Sequence, residues 1–90
     1  MKDDDLFRKA IEVYGMDAQL DVLQEECAEL ICATSAIKRN KKDCIEWLID
    51  ELADVQIMID QITFACCLQN QVHRREEFKL KRLRERLTQA

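Results

Sequence analysis

The sequence predicts an all-α protein, a helical bundle of about four helices with two long central ones. Three observations carry that expectation. The chain has no proline and a single glycine, so it offers few places to turn and favours long helices over many short strands. Its apolar residues are Leu, Ile, Ala and Cys more than Tyr, Phe or Thr, a helical rather than a sheet preference. Hydrophobic residues at 48% and charged residues at 36% describe an amphipathic folded chain, not a disordered one. Ninety residues make one domain, 1–90, and a chain this short buries only some 60–70% of its unfolded surface. Two long helices then leave a thin core, and self-association is expected.

Helix one opens on Asp3-Asp4-Asp5, acid against the positive end of the helix dipole. Leu6, Phe7, Ala10, Ile11 and Tyr14 form its apolar stripe and Gly15 ends it. Asp17 is the expected cap of helix two, which runs to about Arg39. Leu20, Leu23, Cys27, Leu30, Thr34 and Ile37 recur there at alternating spacings of three and four, the pattern of a bundle seam. Lys38-Arg39-Asn40-Lys41-Lys42 closes the helix with cations at its negative end and Asn as a stop.

Asp43, with Glu46 three residues later, resembles a capping box for helix three. The stripe Trp47, Leu48, Leu52, Val55, Ile59, Ile62 and Cys66 carries that helix to about Leu68. Gln69-Asn70-Gln71 is the expected break before a last helix with Val72, Leu80, Leu83 and Leu87; a bent continuation is the alternative.

Several function classes are disfavoured. A net charge of −4 argues against a nucleic-acid partner, although residues 73–86 are markedly basic. The opening Met1-Lys2-Asp3-Asp4-Asp5 has no apolar leader, and no stretch approaches the roughly 20 apolar residues that span a bilayer, so a cytoplasmic protein without membrane contact is expected. Cys27, Cys32, Cys44, Cys66 and Cys67 are odd in number and placed on apolar faces, which predicts buried reduced thiols. A zinc site would need a C-x-x-C pair or more than one histidine.

Two acidic clusters stand out against this background. Glu25-Glu26-Cys27-Ala28-Glu29-Leu30 on helix two is answered by Glu51-Leu52-Ala53-Asp54-Val55 on helix three. Carboxylates three residues apart lie within roughly 60° of each other on a helix face. With Leu23 at zero, Glu26 falls at about 300°, inside the arc of Val22, Leu30 and Ile37, with Glu29 at its edge and Glu25 outside. With Cys44 at zero, Glu51 falls at about 340°, between Met58 and Val55, and Asp54 at about 280°, beside Trp47. Glu26 and Glu51 are thus expected to face the core with Glu29 and Asp54 one step behind. A buried carboxylate without a partner costs several kcal/mol, about what a hard divalent cation such as Mg²⁺ would remove. The competing reading has the acids hydrogen-bonding at a dimer seam or pairing with arginines of helix four.

The ordered set Gly15-x-x-x-Gln19-Leu20, Glu25-Glu26-Cys27-Ala28-Glu29-Leu30, Glu51-Leu52-Ala53-Asp54-Val55 and Lys79-Leu80-x-Arg82-Leu83-x-x-Arg86-Leu87 resembles the MazG-like all-α nucleoside triphosphate pyrophosphohydrolases. That family's signature is E-x-x-E followed by E-x-x-D, with basic residues on a later helix, and the resemblance spans about Leu6 to Leu87. It implies Mg²⁺-dependent hydrolysis, with Mn²⁺ as a substitute, of a nucleoside triphosphate to the monophosphate and pyrophosphate. Carried over by position, it implies that Glu26, Glu29, Glu51 and Asp54 hold the metal. It also implies that Lys79, Arg82 and Arg86 hold phosphate oxygens, as does Lys38, and that the chain forms a homodimer or homotetramer.

That chemistry asks for positioning and charge neutralisation rather than a covalent nucleophile. A carboxylate of the cluster, Glu26 among them, or Glu25 from the side, is the candidate to orient water as base. Gln19 either reads a base edge or sits polar at a helix start. Trp47 reads as a seam residue before a base-stacking one, His73, Lys81 and Arg84 as solvated positions, and Phe78 as a contact between copies. Phosphoribosyl-ATP pyrophosphohydrolase, sharing the carboxylate logic, and a non-catalytic helical interaction module are the alternatives.

Overall fold

In the computed structural model, which describes residues 3–90, four helices follow one another: α1 (Asp3–Tyr14), α2 (Met16–Lys38), α3 (Cys44–Ala65) and α4 (Gln69–Gln89). No strand occurs among the described residues, and the all-α expectation holds. Met1 and Lys2, part of the stretch read for a leader, lie outside them. Among the described residues no helix is long and apolar enough to cross a membrane.

The turns obey backbone chemistry that only partly matches the expected caps. A single residue, Gly15, joins α1 to α2 at φ 86° and ψ 154°, a conformation closed to residues with a Cβ although open space surrounds it. Gly15 is therefore the cap of α2, and Asp17 sits inside its first turn as a charge favourable to the dipole. At the other end α2 stops at Lys38, one residue short of expectation. Asn40 adopts φ 53°, with Lys41 N–H donating to the Ala36 carbonyl and Asn40 N–H to that of Ile37. These two bonds make a Schellman motif with Asn in the left-handed position.

Asp43 caps α3 by position but not by chemistry. Its φ of 60° is left-handed and its side chain bonds no backbone N–H, so the expected capping box does not form. The break before α4 also moves. Leu68 N–H donates to Thr63 and Cys67 N–H to Phe64, with Cys67 at φ 55°, so a second Schellman motif ends α3 at Ala65. Gln69-Asn70-Gln71, the expected break, instead forms the first turn of α4, and the bent continuation is excluded.

The α2–α3 pair is the body of the molecule, antiparallel, with α1 laid across the C-terminal end of α3. Phe7 meets Phe64 there at 6.5 Å between ring centroids, and the Arg8 guanidinium sits 5.3 Å over the same ring. A hollow of about 330 Å³, lined by Arg8, Ile11, Phe64 and Cys67 among others, opens at this junction. α4 touches α3 alone and buries none of its residues.

The buried faces are rotated from the expected seam. On α2 the inward residues are Gln19, Ala33 and Ala36, with Val22, Leu23, Glu26, Leu30 and Ile37 half-buried. On α3 they are Glu51, Val55, Met58 and Gln61. On the angular scales used above these faces centre at about 300° and about 340°. Leu20, Cys27 and Thr34 on α2, Leu52 and Ile59 on α3, and Cys66 in the turn after it, all expected in the seam, are exposed. Four cysteines are exposed and Cys44 half-buried, so the expectation of buried thiols fails; Cys27 lies outside the rotated face, and Cys66 and Cys67 lie in the turn.

Candidate metal centre

The rotation places carboxylates at the middle of both inner faces. Glu26 sits at about 300° on α2 and Glu51 at about 340° on α3, the centres of the two buried arcs. Glu51 is 7% exposed, and Glu26 is half-buried. Gln61 donates from Nε2 to Oε1 of Gln19 across the seam, and this contact records the register. Seven residues on along α2 and seven back along α3, the same register puts Asp54 opposite Glu26; three further, Glu51 faces Glu29.

One carboxylate oxygen each from Glu26, Glu51 and Asp54 lies within 4.8 Å of the others. Oε2 of Glu26 and Oε2 of Glu51 are buried and make no hydrogen bond. Among the described residues no Lys or Arg pairs with any of these acids; the ion pairs are Arg8–Asp5 at 3.7 Å and His73–Glu77 at 3.0 Å. Like charges gathered out of water hold on to protons. Burial first, then the charges of Asp54, Glu29 and Glu51, push the Glu26 carboxyl up to about 7. Burial likewise raises Glu51, helped by the charge of Glu29.

Orphaned inward oxygens, three convergent carboxylates and, among the described residues, no cation paired with them are what a hard divalent ion fits. Glu26, Glu51 and Asp54 are the donors the fold brings together. Glu29 is exposed at the rim, on the same side as Asp54, where its charge reaches both Glu26 and Glu51. Glu25 is exposed on that side too, further round the helix.

The remaining expected residues are not gathered at the acids. Gln19 is 7% exposed and engaged by Gln61, about 10 Å along the helix axis from Glu26 at roughly 1.5 Å per residue. It serves the seam. Lys38 is exposed at the end of α2, about 13 Å along the axis from Glu29. Lys79, Arg82 and Arg86 are exposed on α4, which touches neither α2 nor α1. Trp47, 38% exposed, sits at the level of Ala33, one turn beyond Glu51. His73, Lys81, Arg84 and Phe78 are all exposed, and His73 pairs only with Glu77.

Gln61 escaped the sequence reading. The signal was its place at i+10 from Glu51 and i+7 from Asp54, on the same helix face as those acids.

No protein-family model, curated protein or solved structure matches the chain.

Proposed function

We propose that this chain is a Mg²⁺-dependent nucleoside triphosphate pyrophosphohydrolase, with Mn²⁺ able to replace Mg²⁺, acting as a homo-oligomer on a cytosolic nucleotide pool. The observation that supports this reading is the carboxylate triad Glu26, Glu51 and Asp54, with two buried oxygens left without partners. The order of its acids is that of the MazG-like signature. Glu26, Glu51 and Asp54, with Glu29 at the rim, would hold the ion. When bound, a divalent cation supplies positive charge for phosphate oxygens and makes hydroxide accessible near neutral pH.

The chain's own groups account for the rest. A carboxylate of the cluster, Glu26 among them, or Glu25 on the same side orients the attacking water and accepts its proton. The water oxygen bonds to phosphorus, the α–β anhydride bond breaks, and pyrophosphate leaves with the bonding pair. Cations of α4 suit the charge that builds on that leaving group.

The test is pyrophosphate release from a panel of ribo- and deoxynucleoside triphosphates and phosphoribosyl-ATP, with and without Mg²⁺. Metal-dependent release from the triphosphates is expected. Turnover of phosphoribosyl-ATP alone would shift the assignment to that substrate, and no turnover on any of them would refute it.

A further inference from the structure

One chain exposes 7264 Å² of surface, whereas a compact chain of 10.6 kDa exposes about 5,500 Å². Its radius of gyration is 16.1 Å against about 12 Å for a compact chain of this length. The excess of about 1,800 Å² per chain, or about 3,600 Å² for a pair, falls within the range buried by obligate homodimers. Much of the excess is α4, a helix of 21 residues with no buried side chain.

The surface of α4 is patterned. Val72, Leu80, Leu83 and Leu87 share one arc, and Arg75, Lys79, Arg82 and Arg86, spaced four, three and four, form a cationic stripe roughly 90° round from it. α4 holds seven Lys and Arg against three Glu, a net +4, while the rest of the chain holds seven against fifteen acids, a net −8. Folded back along its own α3, α4 would bring Arg82 near the level of Asp54. The Schellman turn at Cys67 sends it away instead.

The geometry points to a reciprocal exchange in which α4 of a second copy lies along the acidic side of the α2–α3 pair. Each chain then supplies Arg75, Lys79, Arg82 and Arg86 to the other's Glu29 and Asp54. The two-fold symmetry closes the assembly, because the helix lent by one copy is matched by the helix it receives. The occupant is a second copy because the charges complement each other within this one sequence. As an account of a catalytic site this rests on the function proposed above; as an account of assembly it stands without it.

The test uses two full-length variants. One carries Glu29→Lys and Asp54→Lys; the other carries Arg75→Glu, Lys79→Glu, Arg82→Glu and Arg86→Glu. None of these six positions is buried, and circular dichroism checks that each variant remains helical. Native mass spectrometry at low salt should find the wild type dimeric, each variant alone largely monomeric, and the mixture strongly enriched in heterodimer. Heterodimer at the statistical half of the mixture, or a monomeric wild type, would overturn the exchange. Wild-type catalysis is read separately, so a dimer that hydrolyses nothing refutes the function and leaves the exchange standing.

Discussion

Gln61 donates a hydrogen bond to Gln19 across the α2–α3 seam, both side chains being buried, and the register it holds also sets Asp54 opposite Glu26. A buried amide that loses its partner bears the desolvation penalty alone, whereas an apolar pair of similar shape bears none. Gln61→Leu should therefore lower stability by about 1–3 kcal/mol, and adding Gln19→Leu should restore most of it. Urea unfolding of the four members of the cycle measures this. Additive losses would mean that the two amides act independently.

The sign of the pH dependence follows from Glu26. Its folded carboxyl titrates at about 7 against an ordinary 4.5, so the folded state binds the proton more tightly than the unfolded chain. Without divalent ions, its effect is absent below pH 4.5 and destabilises the fold progressively as pH rises through about 7. Glu51, also raised, acts in the same direction. Glu26→Gln should raise the melting temperature at pH 8 by on the order of 5 °C and leave it nearly unchanged at pH 4. An equal shift at both pH values would contradict the assignment.

Cys67 occupies the left-handed position of the turn between α3 and α4, where glycine carries no steric penalty. Cys67→Gly should stabilise the protein by about 0.5–1 kcal/mol in chemical denaturation. A loss of stability would mean that the exposed thiol makes a contact worth more than the backbone strain.

Shape-preserving changes that remove a charge at the acids separate binding from packing. Asp54→Asn is expected to lower Mg²⁺-dependent turnover at least about 100-fold, because a coordinating oxygen is lost. Its melting temperature without metal should stay level or rise, since it removes one of the charges crowding Glu26. A fall in activity that follows a fall in melting temperature would assign Asp54 a structural role instead.

Helices were legible from the absence of proline and from stripes such as Leu23, Leu30 and Ile37, but the rotation of those stripes was not. Each long helix carries a second apolar arc, Leu20, Cys27 and Ile31 on α2 and Leu52 and Ile59 on α3, and periodicity alone cannot tell which arc meets the other helix. In this antiparallel pair both exposed arcs turn to the side opposite Glu29 and Asp54. The inward direction of Glu26 and Glu51 was legible because they fall inside arcs that the true faces also include. Turn dihedrals at Asn40, Asp43 and Cys67 were not, since an Asp three residues before a Glu predicts a cap only if its backbone is extended. The placement of α4 cations depends on where the chain goes after Cys67, which no local pattern encodes.

The most direct measurement is a calorimetric titration of the full-length protein with Mn²⁺, in wild-type and Glu51→Gln forms. Saturable binding by the wild type, displaced by excess Mg²⁺ and lost in the variant while its helicity is retained, is the predicted result. Binding of equal strength in both proteins, or none in the wild type, would contradict the claim that the carboxylates of α2 and α3 form a metal site.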